Sequence, residues 1–107
     1  MRNLHQPERA DIALADVLYA LSDPVRLRIV HDLAECGEAS CGGLGAPMPK
    51  SSVSHHFKVL REAGVTRTRL EGTQRFISLR RDDLETRFPG LFDAVLRAAE
   101  TPAPQPA

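Results

Sequence analysis

The chain has 107 residues, 42% of them hydrophobic, enough for one domain with a modest core of its own. No apolar segment approaches the roughly 20 residues that cross a bilayer, and the N-terminus MRNLHQPERAD lacks the apolar run of a secretory signal, so a cytoplasmic protein with two free thiols is expected. The zero net charge hides a division: residues 1–49 carry four basic and seven acidic groups, residues 50–81 eight and two, and residues 82–107 two and five. A neutral chain with a +6 segment can still bind phosphate through it.

The first element is an amphipathic helix over residues 10–21, where Leu14, Val17, Leu18 and Leu21 recur at spacings of three and four. Ser22-Asp23-Pro24 ends it and starts a second helix, with Asp23 suited to the N-cap and Pro24 to the first helical position. That helix turns Val25, Leu27, Ile29, Val30 and Leu33 inward and stops near Cys36-Gly37. A third, brief helix is expected over residues 40–44, hemmed in by Gly42-Gly43, Gly45 and Pro47. The fourth starts about Pro49 and runs to Ala63, with Val53, Phe57 and Leu60 as its buried stripe and Gly64 as its C-terminal cap.

Residues 65–70 and 75–79 are rich in β-branched, aromatic and Arg residues, and Glu71-Gly72-Thr73-Gln74 between them reads as a hairpin turn. Asp82 and Asp83 open a last helical region that Pro89-Gly90 interrupts, after which Leu91, Phe92, Val95, Leu96 and Ala99 form a wide apolar stripe. A terminal helix that apolar on a small domain calls for a partner. The domain therefore spans residues 1–100, and the Pro/Ala-rich residues 101–107 read as a disordered tail.

A short helix written in Ser, His and Lys, followed by an Arg-studded hairpin, is the layout of a DNA-reading helix and its wing. Lys50, Ser51, Ser52, Ser54, His55 and Lys58 leave the apolar stripe near the helix start, where hydroxyls and N–H groups suit phosphates and longer side chains reach base edges. Arg67 and Arg69 alternate onto one face of the hairpin. With Arg75 on the neighbouring strand, they would meet the DNA backbone or minor groove. His56, next to Phe57, reads as a hydrogen-bonded structural histidine instead. Arg26 and Arg28 suit phosphates or neighbouring carboxylates equally well.

Two segments, LADVLYALSDPVRLRIVHDLAE and SSVSHHFKVLREAGVTRTRLEGTQRFISL, in that order, resemble the ArsR/SmtB family of winged helix-turn-helix transcriptional regulators. The resemblance runs from Ala13 to Ala99 and is poorest over CGEASCGGLGAPMPK. It implies a mostly α fold with a two-stranded β wing. It also implies a homodimer through the first and last helices, with Leu14, Val17, Leu18, Leu21, Leu91, Phe92, Val95 and Leu96 at the interface. Such a dimer would repress transcription from an inverted-repeat operator until a signal, such as a small-molecule effector, releases it.

Family members that bind metal place a Cys-x-Cys pair at the third helix, where this chain has Ser40-Cys41-Gly42, or His and carboxylates on the last helix, where residues 82–107 hold no His and no Cys. No metal or cofactor is therefore expected. Cys36 and Cys41, five apart, leave open a disulfide or, with His31, a partial metal site. The plainer reading is a helix-end thiol and a small apolar filler. No phosphate loop or triad spacing suggests an enzyme. A winged helix used as a protein-interaction module is the alternative class, distinguished by binding to DNA that salt does not weaken.

Overall fold

The computed structural model describes residues 5–40 and 50–100, the side chains of residues 50, 51 and 100 excepted. A single 3₁₀ turn (Arg9–Asp11) precedes α1 (Leu14–Ala20) and α2 (Pro24–Cys36), then β1 (Glu38–Ser40), α3 (Lys50–Ala63), the hairpin β2 (Thr66–Glu71) and β3 (Gln74–Leu79), α4 (Arg81–Arg87) and α5 (Leu91–Glu100). The first helix is thus shorter than its apolar periodicity predicts, because the 3₁₀ turn and Ile12 with extended backbone occupy its expected first residues. Ile12 is instead a core residue, 1% exposed.

Between α1 and α2 the Asp23 carboxylate accepts from the N–H groups of Val25 (2.9 Å) and Arg26 (3.1 Å), and Pro24 takes the first helical position. Such a cap contributes about 1 kcal/mol. Burial pushes the Asp23 carboxyl up, but the two N–H donors and the nearby Arg26 bring it below the usual aspartate value. Ile29, Val30 and Leu33 of α2 then meet Val53, Phe57 and Leu60 of α3 in one core, joined by Ile77, Leu84 and Phe92.

The sheet has three strands where the wing alone supplies two. Its order is β1-β3-β2, all antiparallel. Ser40, expected to open a short helix, lies in β1 opposite Phe76; residues 41–44 of that expected helix fall outside the described residues, as does the tail of residues 101–107. Three residues, Glu-Ala-Ser, have no alternation of their own to announce a strand. The free edge of β3 specifies β1 by backbone pairing.

Register decides which wing residues share a face. Arg67 faces Ser78 and Arg69 faces Phe76, whereas Arg75 faces Leu70, one step out of phase. Directly opposed residues project to the same side. Arg67 and Arg69 therefore lie on one face, and Arg75 on the other with Thr68 and Ile77, which are buried toward the helices. The loop is Gly72-Thr73, with positive φ at Gly72 alone, the condition of a II′ hairpin turn.

Gly64 joins α3 to the wing at φ +88°, and a Cβ there would stand 2.6 Å from a side-chain carbon of Ile12. The joint needs glycine for both its backbone conformation and its contact. Among the described residues no helix is long and apolar enough to cross a membrane.

Candidate nucleic-acid interface

Helix α3 is 14 residues long, about 21 Å at 1.5 Å per residue. Val53, Phe57, Leu60 and Ala63 are buried, while Ser54, His55 and Lys58 are exposed and Ser52 is half-buried. At 100° per residue, Ser54, His55 and Lys58 fall within about 100° of arc on the side away from that stripe. The backbone of Lys50 and Ser51 is the helix start, and their side chains are outside the described set.

A buried arginine ties the helix to the end of α1. Arg26 is 6% exposed; its guanidinium donates to the carbonyls of Ala20 (2.7 Å) and Tyr19 (3.3 Å) at the end of α1. Its Nη1 lies 3.2 Å from His56 Nδ1 on α3. For Arg26 to donate there, Nδ1 has to be the unprotonated ring nitrogen. His56 is thus the hydrogen-bonded structural histidine, and Arg26 satisfies the Ala20 carbonyl at the end of helix α1. Arg28 pairs with Asp32 one turn on, at 3.2 Å.

The +6 segment is in large part tied up inside the molecule. Arg61 donates to the carbonyl of His5. Arg67, at the base of the wing, reaches Asp83 at 3.5 Å. Arg69 holds Glu38 of β1 at 2.9 Å and also Glu71, and stacks over Phe76 with 4.7 Å to the ring centroid. The hydrogen bonds that Arg69 donates to Glu38 and Glu71 raise the Arg69 pKa further, and the bond to Glu38 lowers that of Glu38. Arg80 is buried on Asp83 and the carbonyl of Pro7, and Arg81 meets Asp93. Among the described residues, Lys58 and Arg75 are the basic groups of this segment with no ion pair or hydrogen bond to the protein.

The apolar residues expected at a dimer interface divide. Val17, Leu21 and Phe92 are 1%, 6% and 3% exposed, so they belong to the chain's own core. Leu14 and Leu18 are 46% and 47% exposed, with Tyr19 beside them at 63%. Leu91, Val95 and Leu96 are partly buried against the core. Periodicity marks an apolar face but does not say how wide a strip the chain's own core covers.

Cys36 is an exposed free thiol at the end of α2, and Cys41 lies outside the described residues. No group of three His, Cys, Asp or Glu side chains among the described residues is arranged to hold a metal ion. Sequence reading missed Glu38, Asp83 and Gln6. Gln6 clamps the outer edge of β2 by accepting from Thr68 N–H at 2.7 Å and donating to its carbonyl at 3.3 Å. Nothing local marks Glu38 or Gln6, whose partners lie 31 and 62 positions away; Asp83 has one local signal, Arg80 three residues before it.

Comparison with known proteins agrees with this geometry. A helix-turn-helix domain family matches residues 21–69. The HTH-type transcriptional regulator YceK of Bacillus subtilis strain 168 is 42% identical over 84 residues, which cover 76% of this chain and 84% of that protein. The transcriptional repressor BigR from Xylella fastidiosa is 36% identical, with a TM-score of 0.57 over 70% of this chain and 85% of BigR. A solved ArsR-family transcriptional regulator shares the fold at 24% identity, with a TM-score of 0.64 over 89% of this chain and the whole of the other. With its capped second helix, exposed α3 face and wing, the chain belongs to the ArsR-type winged helix-turn-helix family of DNA-binding transcriptional regulators.

Proposed function

We infer that the protein works as a homodimeric repressor that reads an inverted-repeat operator with α3, steadies itself on phosphate with the wing, and leaves the operator in response to an effector. The observation that carries this is the exposed Ser54, His55 and Lys58 face of α3, with unpartnered Arg75 on the helix-facing side of the wing. In this reading Ser52 and His55 meet base edges, and Ser54 and Lys58, with Lys50 and Ser51 at the helix start, meet phosphates. Arg75 is the wing's first contact. Arg69 joins by exchanging Glu38 and Glu71 for phosphate, and Arg67 stands farther back, at the base.

The second protomer would dock on α1 and α5. Leu14, Leu18 and Tyr19 supply exposed apolar surface, and Leu91, Val95 and Leu96 extend it from α5. A two-fold dimer puts two reading helices into successive major grooves about 34 Å apart.

Selection of genomic fragments by the purified protein, followed by sequencing, tests the first part. An inverted repeat with centres one helical turn apart is expected, and recovery of fragments with no shared sequence would overturn it. Sedimentation tests the second: a dimer at micromolar concentration that Leu18→Asp converts to monomer. Because Leu18 is half exposed in the protomer, this change spares the core. A wild type that sediments as monomer removes the dimer.

A further inference from the structure

Away from α3, a cleft of about 500 Å³ opens where β3 ends and α4 begins, and its wall carries Arg9, Arg67, Arg80 and Arg81 against Asp82 and Asp83. A second hollow shares Arg9, Arg67, Arg80 and Asp83 and adds Arg87 and Glu8. Three guanidiniums converge on the one carboxylate of Asp83: Arg9 at 2.7 Å, Arg80 at 2.9 Å and Arg67 at 3.5 Å. The Asp83 side chain is only 12% exposed and that of Arg80 only 3%, while those of Arg9, Arg67 and Arg81 are more than half exposed and open to a ligand. Each guanidinium has five N–H donors, and these four use only one or two apiece on the protein.

We propose that this cleft is a binding site for a small, multiply charged oxyanion, a phosphate ester or a polycarboxylate. Asp83 holds Arg9, Arg67 and Arg80 in place with one charge against their three, and Arg81 is paired with Asp93. An anion with two or more charges would complete the cluster through charge-assisted bonds, for which the planar fork of arginine is suited. DNA fits this site poorly. Arg67 lies at the base of the wing and on the sheet face opposite Thr68 and Ile77, the face turned toward α3, and the turn at Gly72 is about five residues, or roughly 16 Å, further along the strand. A duplex lying along α3 meets the other side of the sheet. The site's position suits an effector. It joins the N-terminal turn, the wing base and α4, so an anion there would act on the hairpin that the DNA reading invokes; that consequence rests on the proposed function, while binding itself does not.

Calorimetric titration of the full chain with inorganic pyrophosphate, and separately with citrate, at constant ionic strength and without DNA, tests the site. One anion per chain is expected with at least one of the two, and which one binds separates phosphate from carboxylate chemistry. Arg81→Ala and Arg9→Gln should each weaken binding by about tenfold or more, as loss of a charge-assisted contact does, while Lys58→Ala leaves it unchanged. Both arginines are more than half exposed, and thermal melts of the variants check that the fold is kept. Absence of binding by both anions, or binding that Lys58→Ala abolishes and the cleft variants do not, overturns the proposal. So does Arg81→Ala weakening duplex DNA as much as Lys58→Ala, which would make the cleft a DNA contact. Because the titration contains no DNA, its failure leaves the DNA reading standing, and failure of the DNA reading leaves the titration valid.

Discussion

The outer face of α3 and the wing both look basic and polar in sequence, yet the fold leaves them in opposite conditions. On α3, Lys58 has no protein partner, and Ser54 and His55 stand in solvent. In the wing, Arg69 is engaged by two carboxylates and an aromatic ring and Arg67 by Asp83. Only Arg75, on the other face, resembles the helix in being unpartnered. Counting charge measures how much a segment carries and says nothing of how much is available. An arginine already paired has to exchange one carboxylate for one phosphate, which gains little in water.

The joint between the two regions is where the comparison can be broken most severely. Gly64→Ala forces a side chain into positive φ and against Ile12, and should destabilise the protein by about 2–4 kcal/mol. Urea denaturation measures this; a loss under about 0.5 kcal/mol would show that Ile12 simply moves aside. Next is the reading face. His55→Ala should weaken the preferred operator by about 1–3 kcal/mol and scrambled duplex hardly at all. Equal losses on both would make His55 a backbone contact.

Within the wing the two arginines should separate. Arg75→Ala should weaken any duplex and lower the salt-dependence slope by about one unit, with Arg69→Ala doing less because its partners are internal. Glu38→Gln, which loosens Arg69, should strengthen DNA binding. If Arg69→Ala flattens the salt dependence more than Arg75→Ala, the contrast between the two faces is reversed.

The smallest effect concerns the wing's anchor. The Arg9 bond lowers the Asp83 pKa, burial opposes it, and Arg80 adds to the lowering. Its folded value therefore lies below the ordinary 3.8. The stability it contributes is complete above that unfolded value and disappears as pH falls through the folded one. Wild type and Asp83→Asn should differ in urea midpoint near neutrality, and the gap should close as pH falls below the ordinary aspartate value of 3.8. A gap that stays constant down to acid pH would detach Asp83 from the ion cluster.

Much of this was legible along the chain because it is local. Asp23-Pro24 caps α2 within three residues, the stripe Val53, Phe57, Leu60 sets the orientation of α3, and Gly72 makes the turn from its own conformational freedom. The resemblance of the same two segments to a family carried the fold and the DNA-reading role. Local pattern did not divide the apolar stripe on α1, which mixes core residues Val17 and Leu21 with exposed Leu14 and Leu18.

What only the tertiary structure decided acts across long separations. Strand β1 exists because β3, some 40 residues on, offers an unpaired edge to Glu38 and its neighbours. Arg75 changes faces relative to Arg67 and Arg69 because antiparallel register, with a side-chain period of two, turns a one-residue offset into the opposite side of the sheet. Asp83 gathers arginines from residues 9, 67 and 80, and His56 acquires its role from an arginine 30 positions earlier. Where caps, turns and apolar stripes fall was determined along the chain, since these are set by neighbours three or four residues apart. Which charges remain available to a ligand was settled by folding, because a charge is neutralised by whatever lies within a few ångströms in space, however distant along the chain.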